Sequence, residues 1–247
     1  MPSLSSLSVI GHAVYHTLKI SVPTVIEAHR GTLTASVCNQ RLRSWAEELL
    51  RKSGVQVQLE NEENIHLEQA PFVIVSNHAS LYDIPVLFAS LPLNFRMAAK
   101  RELFSTPIWG RALQSSGFVQ IDRSSPGAAY DALHEAGKLL RERGLSLYVA
   151  PEGTRTPDGS LGKFKKGAFG LARATGFPIL PIAILGTRGI HARGSGVVHR
   201  GQHIRVRILK PIFADAIGDL AQTADAVRRE IEVALLDLSQ EVGSQSS

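Results

Sequence analysis

A histidine and an aspartate five residues apart are the side chains of this sequence best suited to acid–base chemistry. His78 follows an apolar run at residues 72–75, and Asp83 precedes a second apolar run. This context predicts that His78 lies where a buried strand ends and that Asp83 begins the next helix. A carboxylate so placed can hold one ring nitrogen of the histidine, so that the other nitrogen is able to accept a proton. An isolated pair is more typical of a loop histidine and a helix-capping aspartate, so its interpretation depends on the rest of the chain.

A second polar turn, at residues 151–155, follows an apolar run that ends at Ala150. It reads Pro-Glu-Gly-Thr-Arg and offers a glycine, a hydroxyl group and a guanidinium group within four residues. A guanidinium group binds phosphate through two hydrogen bonds, and a glycine lets backbone N–H groups approach the same anion. The alternative is a tight turn closed by an ion pair between Glu152 and Arg155. The turn alone does not separate these two interpretations.

Charged residues also follow several other predicted strands and loops. They are Lys100, Asp122, Arg123, Lys165 and Lys166. If the sheet is parallel, the ends of its strands meet at one edge, and the cations would gather on the side of His78. The alternative is that each of these residues lies on the solvated surface. A salt bridge there between Asp122 and Arg123 would contribute little to stability.

Apolar periodicity alternates between strands and helices along most of the chain, which predicts an α/β fold with a largely parallel sheet flanked by helices. Pro23 and Gly31 are expected to break the first fifty residues into pieces, and a frayed tail is expected from Gly243. We predict an N-terminal helical segment at residues 1–50 and one domain at 51–247. The predicted strands are 55–60, 72–75, 95–99, 118–121, 145–150, 179–185 and 204–209, and the predicted helices are 39–53, 83–90, 107–115, 126–144, 167–175 and 220–241.

The N-terminal segment has the pattern of an amphipathic helix. If it is helical, the residues on its apolar face are Leu7, Ile10, Val14 and Leu18. Such a helix can lie flat in a membrane interface, or it can pack on its own domain, and both interpretations stay open. No run of residues has the length and apolarity of a spanning helix.

The composition indicates a globular chain with a modest basic excess. Hydrophobic residues make up 44% of the 247 residues, and Lys plus Arg outnumber Asp plus Glu by 27 to 22. This balance suits phosphate-bearing substrates or an anionic membrane surface, whereas 6% aromatic residues and the lack of a recognition motif argue against nucleic acid. The single cysteine, Cys38, excludes an internal disulfide framework and fits a reducing compartment. We expect no metal site, and neither His-x3-His spacing nor a His/Cys ligand cluster, among the nine histidines.

Four segments together resemble the glycerolipid acyltransferase family in both content and order. They are residues 77–83, 117–123, 151–155 and 180–184, and the resemblance spans about residues 40–215. Each segment alone is weakly specific, but four in this order are strongly so. Two departures stand out. Ala150 occupies a position that is usually aromatic in the family, and the long apolar N-terminal anchor of the family is weak here.

The resemblance implies transfer of a fatty acyl group from acyl-CoA or acyl carrier protein to the free hydroxyl of a lysophospholipid, 1-acylglycerol 3-phosphate. His78 would be the catalytic base and Asp83 would orient its ring, with no cofactor beyond the thioester co-substrate. The enzyme would act as a peripheral or monotopic protein on the cytoplasmic face of the cell membrane. The residues implied to bind substrate are Asn77, Ser80, Lys100, Arg123, Glu152, Gly153, Thr154 and Arg155.

Other functions remain compatible with the same residues. Within the family, the acceptor could instead be a lyso-ornithine lipid, another lysophospholipid or glycerol 3-phosphate. A lipid thioesterase or esterase would use His78 to activate water, although the sequence lacks the Gly-x-Ser-x-Gly motif of serine hydrolases. Ser80 is a less favoured candidate, as the residue that would carry an acyl-serine intermediate. Cys38 lies outside all four segments and is therefore a poor candidate for a nucleophile. A non-catalytic membrane scaffold is the remaining alternative.

Overall fold

The computed structural model describes residues 4–122, 126–156, 159–195 and 197–245. Strands and helices alternate along these residues, as the sequence predicts. The strands are β1 (Gln56–Glu60), β2 (Val73–Ser76), β3 (Phe95–Lys100), β4 (Val119–Ile121), β5 (Ser146–Val149), β6 (Ile179–Leu185) and β7 (His203–Ile208). The helices are α1 (Leu4–His29), α2 (Ala35–Ser53), α3 (Asp83–Ser90), α4 (Arg101–Phe104), α5 (Trp109–Ser115), α6 (Pro126–Glu142), α7 (Gly167–Thr175), α8 (Thr187–Ile190) and α9 (Leu220–Gln245).

The described strands form one seven-stranded sheet in the order β1-β7-β6-β2-β5-β3-β4. The five strands from β6 to β4 are parallel, with Val75 of β2 paired with Val149 of β5. Strand β7 is antiparallel to β6 and parallel to β1, so these two strands run the opposite way. The predicted α/β fold with a largely parallel sheet is confirmed. Because β2 and β5 are central neighbours, the loops that follow them meet at one edge of the sheet.

The central strands are buried on both faces, which explains their nearly continuous apolar sequences. Every residue of β2 and β5 is buried. On one face the core contains residues of α6, α7 and α9, such as Leu133, Phe169 and Val227. On the other face it contains residues of α2 and α3, such as Leu50 and Leu87. This packing fixes the ends of β2 and β5 between two layers of helices.

Helix α1 continues through Pro23, so the expected break at this residue is wrong. Contacts with α2 hold the helix on both sides of the proline. Arg41 donates two hydrogen bonds to the carboxylate of Glu27, at 3.0 and 2.6 Å, and Trp45 Nε1 donates to Thr17 Oγ1 at 3.0 Å. Tertiary packing therefore outweighs the hydrogen bond that a proline removes.

None of the helices in the described parts of the chain combines the length and the apolarity that crossing a bilayer requires.

Helix α9 runs to Gln245, so the predicted frayed tail is wrong for residues 243–245, and its last two residues lie outside the described part of the chain. Two arginines of β7, Arg205 and Arg207, both bind the carboxylates of Glu60 and Glu241. This network anchors the last turns of α9 to the edge of the sheet. The division of the chain at residue 50 stays a prediction, although Leu50 of α2 packs in the same core cluster as the sheet residues.

Candidate active site

The His78–Asp83 pair lies where the loop after β2 leads into α3. His78 Nδ1 is 2.7 Å from Asp83 Oδ2, and the same oxygen accepts hydrogen bonds from the backbone N–H groups of Ala79, at 2.9 Å, and Ser80, at 3.0 Å. Asp83 is fully buried, and the side chain of His78 is 12% exposed. With Nδ1–H donated to the carboxylate, Nε2 is the nitrogen that can accept a proton.

The loop folds around Asp83 because both of its ends are anchored in the core. Its first end is β2, and its second is α3, in which Val86 and Leu87 are completely buried. Asp83 is the first residue of α3, and its carboxylate satisfies backbone donors of the preceding loop rather than those of its own helix. The five-residue spacing therefore brings the carboxylate back to the His78 ring, as predicted.

The loop after β5 reaches the same site through Glu152. Its Oε1 accepts a hydrogen bond from the backbone N–H of His78 at 2.7 Å, and its Oε2 accepts one from Gly162 at 2.8 Å. Burial raises the pKa of Glu152, whereas these two hydrogen bonds act in the opposite direction. The carboxylate thus ties two loops together instead of closing an ion pair with Arg155. Its predicted contact with substrate stays a prediction, and this geometry favours a positioning role.

Asn77 and Ser80 are also engaged with distant backbone groups. The side-chain amide of Asn77 donates to the carbonyl of Ile184 at 2.9 Å and accepts from its N–H at 2.8 Å. Ser80 Oγ donates to the carbonyl of His191 at 2.8 Å and accepts from the N–H of Tyr82 at 3.2 Å. Ser80 is fully buried, so a role as acyl acceptor is disfavoured. Both residues hold the loop in place, and their predicted contacts with substrate stay predictions.

Arg155 follows Glu152 in the same loop and has a buried guanidinium nitrogen. Its Nη1 is buried and has no hydrogen-bond partner among the residues that the structure describes. Its backbone carbonyl accepts a hydrogen bond from Arg193 at 2.5 Å, while the neighbouring Thr154 is exposed. A buried cationic nitrogen with no partner among the described residues is costly, so Nη1 is a candidate donor for an anionic ligand.

Gly153 is required by the shape of this turn. Its φ is +73°, and a Cβ added to it would lie 3.1 Å from the end of the Lys165 side chain. Lys165 therefore lies over the turn, and its N–H donates to the carbonyl of Pro151 at 2.9 Å. A second cation is thus packed against the residues that precede Arg155.

Lys100 and Asp122, two of the other predicted charged residues, lie at the same edge of the sheet but at the ends of strands further from β2 and His78. Lys100 ends β3 and is exposed, with its Nζ 3.0 Å from Glu102. Asp122 follows β4 and lies 3.4 Å from Arg101. Arg123, which was predicted to bind substrate, lies outside the described residues. Lys100 is one strand away from the loop after β5, since β3 pairs with β5.

An apolar cavity of about 610 Å³ opens beside the Glu152–Arg155 turn. Sequence patterns do not reveal it, because its walls come from strand ends and three separate helices. Gly153 and Lys165 also border it. Its apolar lining is formed mainly by Ala98, Ile121, Leu133, Val149, Ala150, Phe164, Ala168 and Ala221.

Comparison with known proteins identifies the family. A family model described as Acyltransferase matches residues 56–185. A chloroplastic 1-acyl-sn-glycerol-3-phosphate acyltransferase of Arabidopsis thaliana is 41% identical over 169 residues, which are 68% of this chain and 47% of that protein. The chloroplastic enzyme of the same name from Brassica napus is 40% identical over 65% of this chain and 47% of its own length. The chain thus spans about half the length of these plant relatives.

A longer match and a solved structure extend the comparison. The 1-acyl-sn-glycerol-3-phosphate acyltransferase of Saccharomyces cerevisiae is 32% identical over 87% of this chain and 77% of that protein. The crystal structure of the 1-acyl-sn-glycerophosphate acyltransferase PlsC from Thermotoga maritima has the same fold, with a TM-score of 0.80 and 24% identity over 96% of this chain and 95% of that one. The chain therefore belongs to the glycerolipid acyltransferases, the family that its four sequence segments resemble.

Proposed function

We propose that this protein transfers a fatty acyl group from a thioester, acyl-CoA or acyl carrier protein, to the free hydroxyl of 1-acyl-sn-glycerol 3-phosphate, which yields phosphatidic acid. The observation that carries the proposal is the buried contact of 2.7 Å between His78 Nδ1 and Asp83 Oδ2, which leaves Nε2 to act as a base. The names of the relatives, all 1-acyl-sn-glycerol-3-phosphate acyltransferases, support the choice of acceptor.

The reaction needs a base because an alcohol is a poor nucleophile at neutral pH. His78 Nε2 takes the proton of the acceptor hydroxyl while the oxygen attacks the thioester carbonyl carbon. The tetrahedral intermediate then collapses, the C–S bond breaks, and the imidazolium returns the proton to the leaving thiolate. Asp83 keeps the ring in one tautomer and stabilises its positive charge, and Glu152 fixes the backbone of His78 from the other side. The transfer is direct and requires no covalent enzyme intermediate or cofactor.

Arg155 is the residue proposed to bind the phosphate of the acceptor. Its buried Nη1 has no hydrogen-bond partner in the described part of the chain, and Lys165 adds a second positive charge beside the turn. Because Glu152 is bonded to His78 and lies three residues before Arg155, the phosphate site is attached directly to the catalytic loop. Binding at this site places the acceptor hydroxyl near the base. Lys100, at the end of β3, would add to the positive field at this edge, and a contribution from Arg123 stays a prediction.

Replacing Arg155 with alanine should therefore raise the KM for 1-acylglycerol 3-phosphate by about tenfold or more, since a hydrogen bond to a charged group contributes roughly 1.5–3 kcal/mol. The KM for acyl-CoA should change much less. Steady-state kinetics with each substrate varied in turn measures both values. Arg229→Ala, at an exposed position of α9, is the matched control. A selective rise in the KM for acyl-CoA would show that Arg155 binds the thioester substrate and not the acceptor.

The apolar cavity beside the turn is proposed to hold an acyl chain. It borders Ala150 and Gly153, so it begins next to the turn that carries Arg155, the residue assigned to the acceptor phosphate. Burial of methylene groups in such a cavity contributes about 0.8 kcal/mol for each group. Ala150, where relatives of the family usually have an aromatic residue, leaves this volume open.

Ala150→Phe should fill part of the cavity and lower kcat/KM for long-chain acyl-CoA by about tenfold, as expected for overpacking or displacement of a few methylene groups. Short-chain acyl-CoA should be affected far less, so the preference shifts towards short chains. Competition between two acyl-CoA species in one reaction gives the ratio directly. Ala150→Gly serves as the control that enlarges the site. An unchanged ratio in the phenylalanine variant would place the acyl chain elsewhere.

Helix α1 is proposed to hold the enzyme at the membrane surface, on its cytoplasmic face. Its inner face packs against the domain, with Val9, Ser21 and Thr24 buried. Its outer face carries an apolar row that is 40–55% exposed and consists of Leu7, Ile10, Val14 and Leu18. The two interpretations of the sequence are therefore compatible, because different faces of one helix serve them. An exposed apolar row of this length supports attachment as a peripheral or monotopic protein.

The triple variant Ile10→Gln, Val14→Gln, Leu18→Gln should reduce binding to anionic phospholipid vesicles by about tenfold or more, because each apolar side chain contributes roughly 1.5–3 kcal/mol when it leaves water. Vesicle sedimentation measures the bound fraction. The control replaces two exposed apolar residues of α9, Val233 and Leu236, with glutamine. Activity on detergent-dispersed lysolipid should fall less than activity on vesicles. If the triple variant sediments as tightly as the wild type, the attachment surface lies elsewhere.

The experiment that tests the proposed function compares acceptors. Purified protein receives one labelled acyl-CoA together with 1-acylglycerol 3-phosphate, a neutral monoacylglycerol, glycerol 3-phosphate, lyso-ornithine lipid or no acceptor. We expect labelled phosphatidic acid, with CoA release that depends on the phosphate-bearing lysolipid. Equal CoA release without any acceptor would identify a thioesterase instead, and no release with any acceptor would favour a scaffold.

A further inference from the structure

Two histidines of α1 and a glutamate of α2 meet outside the catalytic site, where these helices pack together. His12 and His16 are one helical turn apart, and their ring centroids are separated by 4.2 Å. His12 Nε2 is 3.8 Å from Glu48 Oε2. One nitrogen from each histidine and a carboxylate oxygen of Glu48 all lie within 4.8 Å of one another. The expectation that the histidines offer no ligand cluster is therefore wrong, since His12 and His16 have His-x3-His spacing and α2 supplies the third group.

The His12 ring is not satisfied by its surroundings. Its Nε2 atom is buried and makes no hydrogen bond to any described residue. The distance of 3.8 Å to Glu48 is too long for a hydrogen bond. A buried polar nitrogen without a partner costs free energy, so this atom points to a ligand that is not a protein side chain.

We propose that His12, His16 and Glu48 bind a divalent transition-metal ion, with Zn²⁺ as the best-fitting case, and that the ion clamps α1 onto α2. Imidazole nitrogens and a carboxylate oxygen are ligands of Zn²⁺ at about 2.0–2.2 Å. Two histidines four residues apart on one helix face are a recurring way to present two of them. The three side chains need only small rotations to close on one ion, and water completes the coordination.

Arg51 competes with the metal for Glu48. It donates two hydrogen bonds to Glu48 Oε2, at 2.6 and 3.1 Å, and its side chain is 69% exposed. An exposed pair of this kind contributes little to stability, so the carboxylate can exchange Arg51 for a metal ion. Removal of Arg51 should therefore strengthen metal binding, whereas removal of a ligand should weaken it. Opposite effects from neighbouring positions separate a metal site from a general change in charge or packing.

The test uses the full-length protein without a polyhistidine tag, stripped with a chelator and titrated with ZnCl₂ by isothermal titration calorimetry. We expect one Zn²⁺ per chain. His16→Gln and Glu48→Gln should each weaken binding by about tenfold or more, and Arg51→Gln should tighten it. The matched control is His29→Gln, an exposed histidine of the same helix. Titration of the wild type with Co²⁺ should produce visible absorption bands that differ from those of the aqueous ion.

Two results would overturn the proposal. One is unchanged Zn²⁺ affinity and stoichiometry in a His12→Gln, His16→Gln double variant. The other is a Co²⁺ spectrum of the wild-type protein identical to that of the free ion, which stays informative even if a variant fails to fold. Circular dichroism in chelator checks the fold of each variant. Zn²⁺ should raise the Tm of the wild type and of His29→Gln, but not that of the double variant, because a ligand stabilises only the state that binds it.

Discussion

Replacing His78 with alanine is expected to lower kcat for acyl transfer by at least about a thousandfold, within the range of general-base effects. The change removes the proton acceptor but leaves Asp83 Oδ2 bonded to the N–H groups of Ala79 and Ser80. Because these bonds persist, the loop should keep its conformation, and the loss should be chemical rather than structural.

Formation of labelled phosphatidic acid at saturating substrates measures the His78→Ala effect. His66→Ala, an exposed histidine in another loop, is the control and should retain full activity. Circular dichroism and thermal unfolding establish that both variants fold. If His78→Ala kept a tenth of the wild-type turnover, the assigned base would be wrong.

Asp83→Asn is expected to lower kcat by about a hundredfold, less than the loss of the base itself. Asp83 Oδ2 accepts three contacts, whereas its buried Oδ1 has no hydrogen-bond partner among the described residues. An amide can therefore keep its oxygen at the position of Oδ2 and put its NH₂ group at that of Oδ1. The contacts survive, but the negative charge that stabilises the imidazolium is lost.

The Asp83→Asn prediction is checked by kcat measured alongside thermal stability. A large fall in kcat with a small change in Tm supports an electrostatic role. Asp83→Ala is the comparison, because it also removes the acceptor of three hydrogen bonds and should lower the Tm further. Wild-type turnover in Asp83→Asn would contradict the assigned role of the carboxylate.

The catalytic pair was predictable from sequence because all of its determinants are local. Strand β2, the six-residue loop and helix α3 lie within residues 73–90, and the apolar runs of β2 and α3 mark the two anchors. Helix α3 begins at Asp83 and ends at Ser90, as predicted. Once both ends of such a short loop are anchored, few conformations remain for the residues between them.

The supporting contacts were not predictable, because their partners are far away in sequence. Asn77 is bonded to Ile184, 107 residues later, and Ser80 is bonded to His191, 111 residues later. Residue type alone indicates that an amide or hydroxyl group will find a partner, not whether that partner is a substrate or a backbone carbonyl. Gly162 was missed for the same reason, although a glycine at a close approach of loops is the signal that could have indicated it.

One wrong prediction and one feature that was not predicted both depend on tertiary packing. Local rules predict a break at Pro23, but Glu27 and Thr17 bind α2 on either side of it. The opposite direction of β7 has no local signature, since a half-buried strand shows the same alternation in an antiparallel pair as in a parallel pair. In both cases the deciding contacts join segments that the sequence separates.

The central claim is that His78 activates the acceptor hydroxyl for a single direct transfer from the thioester. Rapid mixing of enzyme with acyl-CoA, in the presence or absence of 1-acylglycerol 3-phosphate, tests it most directly. Direct transfer predicts that CoA and phosphatidic acid appear together, that no CoA burst occurs without acceptor, and that the protein mass stays unchanged. A burst of CoA before phosphatidic acid, with an acyl group added to the protein mass, would contradict the account.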